Sequence, residues 1–371
     1  MLATAWSGCL LVFPEEQPAP ETRLHRPPVD EPVCTGSLAN CDGSASNGCE
    51  SDLASDPSHC GACDVACDPG AACNDSACGS APEVIASGQL SPTRLVATDG
   101  DLFWVHAVQK DPASGSTFGV IQHLPRDASE SRLFFSGRGA PESLAVNATH
   151  VYWPDYDGGR LLRMTRHGLP RLPEPLTSGL RSPRSLTIVG DTLFWASAPD
   201  RTAYRCSPSS CQPTAFAVLP DAVTGVAASP SGVFVAGTTT VLRLDPSGHI
   251  ATTLASSRSG PFGLIAAESS AFWIEQGGPG LRDSGLIAGA DPGFQVLAEA
   301  QDGPSSIAVD DGWVYWTNLL AGTVMRAPRQ GGKALPLAVG QGQPSGIAID
   351  DHSVYWTTRE TGRVMRLPKD K

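Results

Sequence analysis

Val314–Arg326 reads VYWTNLLAGTVMR, and Val354–Arg366 reads VYWTTRETGRVMR. Laid over one another without a gap, Pro304–Pro328 and Pro344–Pro368 agree at 15 of 25 positions, so the segment is a duplicated unit. Moving outward from this pair, the same aromatic stretch recurs in weaker form. It reads LFW at Trp104, VYW at Trp153, LFW at Trp195, VFV at Val235, AFW at Trp273 and VYW at Trp316 and Trp356. The successive gaps are 49, 42, 40, 38, 43 and 40 residues.

The core of the unit is a Pro, a short apolar strand, an acidic turn, the aromatic strand, a Gly turn, an apolar strand carrying Arg, and a short apolar strand ending in Gly, and the copies repeat it with varying fidelity. A period near 40 with four short strands per unit is the signature of a propeller blade. The expected fold is all-β, a seven-bladed β-propeller of four-stranded blades over residues 83–371. The last unit lacks its fourth strand, while EVIASG at Glu83–Gly88 matches LPLAVG at Leu335–Gly340 and EPLTSG at Glu174–Gly179. The N-terminal strand is therefore expected to close the last blade, which removes the free edges of an open array. Asp310, Asp311, Asp350 and Asp351 resemble catalytic carboxylate pairs, but they fall where the first strand turns into the second, and turn chemistry accounts for them.

Composition agrees with short strands and turns. Of 371 residues only 17% are charged, against 39 Gly and 32 Pro. A net charge of -12 without a Lys/Arg cluster argues against nucleic acid and anionic lipid as partners. Eleven cysteines point to an oxidising compartment. Eight of them, Cys34, Cys41, Cys49, Cys60, Cys63, Cys67, Cys73 and Cys78, lie in residues 34–79, a stretch with no large aliphatic cluster. Such a module needs disulfides in place of a core. Eight cysteines allow roughly a hundred pairings, which leaves the connectivity open. Zinc on Cys60 and Cys63 is the weaker reading of these thiols. Calcium held by Asn40, Asp42, Ser44 and Asn47 is weaker still, for want of a bidentate Glu. Cys206 and Cys211, in YRCSPSSCQPT, suit a local disulfide across the hairpin joining the third and fourth strands of one blade.

The opening MLATAWSGCLLVF is apolar for thirteen residues, short of the roughly 20 that span a bilayer. Ser7, Gly8 and Cys9 resemble a bacterial lipobox, in which the cysteine is lipidated. Residues 1–9 are read as a signal-peptide remnant with lipidation at Cys9, and residues 10–33 as a Pro-rich linker, with six prolines between Pro14 and Pro32. At about 3.1 Å per residue that linker could hold the rest of the chain roughly 50–60 Å from its anchor. The resemblance implies an outer-membrane lipoprotein or a secreted protein of the cell envelope, touching the membrane only through its lipid. The CDG…NGCE pattern is similar to cysteine-rich modules of bacterial surface lipoproteins.

The repeats resemble the YWTD, NHL and streptogramin-lyase propeller group. That resemblance implies ligand contact on the face carrying the starts of the inner strands and the loops between second and third strands. Candidate binding residues there are Arg94, Glu142 and Arg184 at strand starts. The loops add His106, Lys110, Asp111, Asp155, Tyr156, Asp157, Asp200, Arg201, Glu275, Arg282, Asp283, Arg359 and Glu360. Two loops, VHAVQKDPASGSTFGV and IEQGGPGLRDSGL, exceed a minimal turn. A streptogramin lyase would need a histidine base and carboxylates holding magnesium. A lactonase of related shape would need Glu, Asn and Asp around calcium. Neither set is apparent, no G-x-S-x-G or H-E-x-x-H occurs, and GQGQPSG at Gly340–Gly346 lacks the helix that a phosphate loop requires. No catalytic residue and no cofactor is assigned; calcium or magnesium enters only with the alternative reading of a metal-dependent lyase or lactonase. The expectation is a monomeric binding scaffold for a protein or glycan at the cell surface.

Overall fold

The computed structural model describes residues 33–106, 109–110, 117–139, 141–167, 172–276, 285–291 and 293–369. Seven antiparallel sheets follow one another along the chain from Pro92. In blade six, Pro304–Val309 lies innermost, followed outward by Trp313–Asn318, Thr323–Pro328 and Leu335–Ala338. Blade seven consists of Pro344–Ile349, Ser353–Thr358 and Arg363–Pro368, and its outer strand is Glu83–Ala86 from the other end of the propeller sequence. Val364 opposes Ala86, and Arg366 opposes Glu83 and forms an ion pair with it at 2.6 Å. The ring closes as the repeat count predicts.

Why the aromatic strands carry this pattern follows from the two-residue period of a strand, which sends neighbours to opposite faces. Val314 and Trp316 pack against blade five, among Phe272, Ile287 and Leu297. Tyr315 between them packs against Ile347, Val354 and Trp356 of blade seven. Both faces are covered, so both positions are large and apolar. Seven such clusters of buried side chains lie between the blades, one per seam. The seam between blades seven and one joins Tyr355 and Val364 to Leu95, Leu102 and Trp104. Each Trp contributes on the order of 2–3 kcal/mol through burial.

Turn chemistry explains the aspartates. Asp310 Oδ1 accepts the backbone N–H groups of Gly312 and Trp313, and its Oδ2 accepts the Tyr315 hydroxyl. Asp350 repeats this with His352, Ser353 and Tyr355.

Ahead of the ring, residues 33–79 hold two short two-stranded pieces and four disulfides: Cys34–Cys49, Cys41–Cys63, Cys60–Cys73 and Cys67–Cys78. Cys60, Cys67 and Cys78 lie close together, but every one is already in a disulfide. A fifth bridge, Cys206–Cys211, closes the hairpin in blade three. The module rests on the outer edge of blade six. Ala71 bridges Ala338, Val339 N–H donates to the Gly70 carbonyl, and Asn74 Nδ2 donates to the Pro336 carbonyl at 2.8 Å. Lys333 pairs with Asp75 at 3.1 Å.

Candidate functional site at the channel mouth

The inner strands of all seven blades enclose a central channel of about 670 Å³. Its rim is set by a short column of residues following the Pro that opens the inner strand in six units, with Val223 in its place in blade four. Two places after that Pro stands a small residue in most blades: Ser143, Ser185, Gly225, Gly263, Ser306 and Gly346. Small size is needed because the inner strands approach closely. The Ser143, Ser185 and Ser306 hydroxyls accept the N–H groups of Leu186, Val226 and Ile347 in the next blade. A Cβ on Gly346 would strike the Thr93 carbonyl oxygen.

Blade one breaks the rule with Arg94. Its side chain is exposed, and Nε keeps the link to the next blade by donating to the Glu142 carbonyl at 3.1 Å. One place nearer the Pro stand Glu142 and Arg184, both half-buried. Arg184 lies over the Tyr156 ring at 5.0 Å and donates from Nη2 to its hydroxyl at 3.0 Å, while its buried Nε has no hydrogen-bond partner among the described residues. Arg94, Glu142 and Arg184 thus line one sector of the channel, from three consecutive blades. Two guanidinium groups and one carboxylate there give a local excess of positive charge on a chain of net charge -12. A group presenting hydrogen-bond acceptors suits that sector. Thr224 and Phe262, which occupy the Glu142 column in blades four and five, complete the wall. Sequence reasoning missed them because neither residue type signals a site by itself.

The loop candidates take different places. His106, Asp155 and Glu275 occupy one column, two residues after the aromatic-strand Trp or its equivalent, and all three are buried inside the blade. His106 Nε2 and Trp104 Nε1 both meet Gln89 Oε1 at 3.1 Å, and burial pushes the His106 imidazole below its ordinary range. Asp155 accepts the Gly158 N–H and both Nε and Nη2 of Arg160. Glu275 accepts Arg258 through both oxygens, together with Trp273 Nε1 and the Ser259 N–H. Burial pushes the Glu275 carboxyl up, and these donors outweigh it, holding the group below the usual carboxylate range. Their geometry makes them closures of the hairpins.

Asp157 is exposed and accepts the Thr117 hydroxyl. Asp200 accepts Ser197, Tyr204 and Arg181, and Arg201 donates to the Pro220 carbonyl. Arg359 reaches the Ser91 hydroxyl, and Glu360 is exposed on the same loop. Cys9, Asp111, Arg282 and Asp283 lie outside the described residues, and Lys110 sits in a two-residue strand paired with Thr117.

No protein-family profile matches the chain, and no curated protein matches it in sequence. Solved structures do match. Virginiamycin B lyase from Staphylococcus aureus is 13% identical with a TM-score of 0.60, over 78% of this chain and 98% of that one. The Pan2 WD40 domain of Neurospora crassa is 11% identical with a TM-score of 0.57, over 76% and 90%. YCF48 bound to D1 peptide is 14% identical with a TM-score of 0.56, over 78% and 95%. Identities this low establish a shared fold, the seven-bladed propeller, and nothing of activity.

Proposed function

We propose that this chain is an exported envelope protein, lipid-anchored at Cys9, whose propeller is a binding scaffold that seats a protein or glycan partner over the channel mouth. The observation that carries binding over turnover is the state of the ionisable groups on that face. His106, Asp155 and Glu275, the buried groups of that face of a type that could move protons or hold a metal, are each closed into the blade by hydrogen bonds, which leaves Glu142 as the carboxylate lining the mouth, between two arginines. Arg94 and Arg184 at the mouth bear fixed charges suited to recognition and cannot serve as general bases at neutral pH. YCF48, a propeller of the same fold, is complexed with a peptide, which supports a polypeptide partner. Export is supported by five disulfides and by the apolar opening with its Ser7-Gly8-Cys9 motif.

The test has two arms. Immobilised wild-type chain should retain a component of a surface fraction that an Arg94→Ala/Arg184→Ala double variant does not retain. Metal analysis after dialysis should find no stoichiometric calcium or magnesium; a bound equivalent lost on Glu142→Gln would replace this reading with a metal-dependent lyase or lactonase. For the anchor, a Cys9→Ser chain should leave the membrane pellet for the soluble fraction, and continued sedimentation with membranes defeats that part.

A further inference from the structure

On the rim opposite the channel mouth, the third strands of five blades carry an arginine in one column: Arg163, Arg205, Arg243, Arg326 and Arg366. In two of these blades the residue directly across on the outer strand is a glutamate that neutralises the arginine. In blade two that residue is Glu174, which accepts Arg163 through Nε and Nη2, both at 3.1 Å. Blade seven has Glu83, which accepts Arg366 through the same two nitrogens at 3.0 and 2.6 Å. Thr214 stands across from Arg205 in blade three.

Arg205 otherwise behaves as Arg163 does. Each uses Nη1 to donate to a proline carbonyl in the third-to-fourth-strand turn of the next blade, Pro208 for Arg163 and Pro246 for Arg205. Arg205 also lies over the Phe216 ring at 4.7 Å. Its other edge, the Nε and Nη2 pair that holds a glutamate in blades two and seven, meets no carboxylate among the described residues. That edge is the geometry that takes a carboxylate in two parallel hydrogen bonds.

The same place is a cleft. Between blades three and four lies a cavity of about 500 Å³ lined by Arg205, Phe194, Phe216, Val189, Val233 and Pro246. This volume is typical of small-molecule sites, which are apolar with a few placed polar groups. Arg243 also lines it and donates from Nη2 to the Ser231 carbonyl. The one carboxylate on its wall, Asp245, is turned into its own loop, where it accepts Ser247 and His249.

We propose that this seam is a second binding site, for a small carboxylate with an apolar body: the ligand carboxylate takes the place on Arg205 that Glu174 and Glu83 fill in the sister blades, and its body lies against Phe194, Phe216 and Val233. The site is independent of the channel mouth.

Calorimetric titration of the full chain with naphthalene-2-carboxylate, and with naphthalene-2-methanol as its neutral counterpart, tests this. Saturable one-to-one binding is expected for the carboxylate, with the alcohol at least about tenfold weaker. Thr214→Glu, which supplies the internal partner on an exposed strand position, should weaken the carboxylate by about tenfold or more, as should Arg205→Gln. Thr214→Gln should bind as wild type, and so should Arg94→Ala/Arg184→Ala. Thermal melts of each variant confirm folding. Equal affinity for acid and alcohol, no saturable binding to the wild type, or undiminished binding in a folded Thr214→Glu chain overturns the proposal. Loss of binding in Arg94→Ala/Arg184→Ala also overturns it, by placing the carboxylate at the mouth.

Discussion

At the scale of single residues, the position three before the inner-strand Pro joins consecutive blades. Gln341 donates its backbone N–H to the Gly322 carbonyl of blade six and accepts Trp356 Nε1 of blade seven. Gln89 does the same between Gly362 and Trp104. Gly322 and Gly362 have φ of 68° and 60°, which glycine adopts without strain. Blade three has Leu180 in this column. Its N–H still donates to Gly159, but Trp195 Nε1 is buried with no hydrogen-bond partner among the described residues. Leu180→Gln should therefore stabilise the protein by about 1 kcal/mol, raising the melting temperature by roughly 1–3 °C. Differential scanning calorimetry decides it; a lower melting temperature would mean that the packing of Leu180 against the buried cluster between blades two and three outweighs the orphaned indole. This column was open to reading in the sequence, since Gln89, Gln301 and Gln341 share a spacing from Pro. Its pairing with the residue two after Trp was not. Partners 15 to 17 residues apart meet only when the strands are folded.

At the scale of elements, the seam between blades one and two departs from the others. His123 replaces the third-strand arginine and is fully buried, stacked on Phe103 at 4.2 Å. Asp101 lies 3.2 Å from its Nε2 and also receives Arg166 Nε and the Arg126 N–H. Arg132 faces Nδ1, and Asp99 pairs with Arg166 at the rim. Burial pushes the His123 imidazole below its ordinary value, against the pull of Asp101. With the folded value depressed, the unfolded chain binds the proton first, so this contribution to stability is present above about pH 6.5 and is lost as pH falls below it. The Asp101 carboxyl is pushed up by burial but held below its ordinary value by Arg126, Arg166 and His123, so its own contribution is lost only below the ordinary carboxylate range, at more acid pH. Urea melts at pH 7.5 and 5.5 should show a smaller loss of stability in His123→Gln than in wild type. Equal losses would assign the acid sensitivity to other groups, such as His106 and His150, which burial also depresses.

For the whole molecule, closure rests on Glu83–Ala86. Pairing with Arg363–Pro368 covers an edge that would otherwise be open to other chains, and Ile85 and Ala86 pack on the seam between blades seven and one. Two truncations separate this strand from the cysteine module. A chain starting at Ala81 should stay monomeric and melt as one transition. A chain starting at Leu90 should melt at least about 5 °C lower and self-associate. Light scattering with calorimetry reads both, and a monomeric, equally stable chain from Leu90 would show that the ring closes without its outer strand.

The aromatic period by itself determined the sheet count, the strand order and the seam, because a strand buried on both faces must repeat large apolar residues at each copy, and because the first strand matches the outer strands of other copies. Which polar residues remain available was decided only by the tertiary structure. Arg94 at the open rim and Glu275 inside its blade are equally polar in a string of letters; they differ in what lies across the turn, and Arg258 neutralises one while nothing acidic among the described residues pairs with the other. The cysteine pairing and the seat of the module on blade six belong to the same class, since both depend on distances between segments that a one-dimensional pattern does not contain.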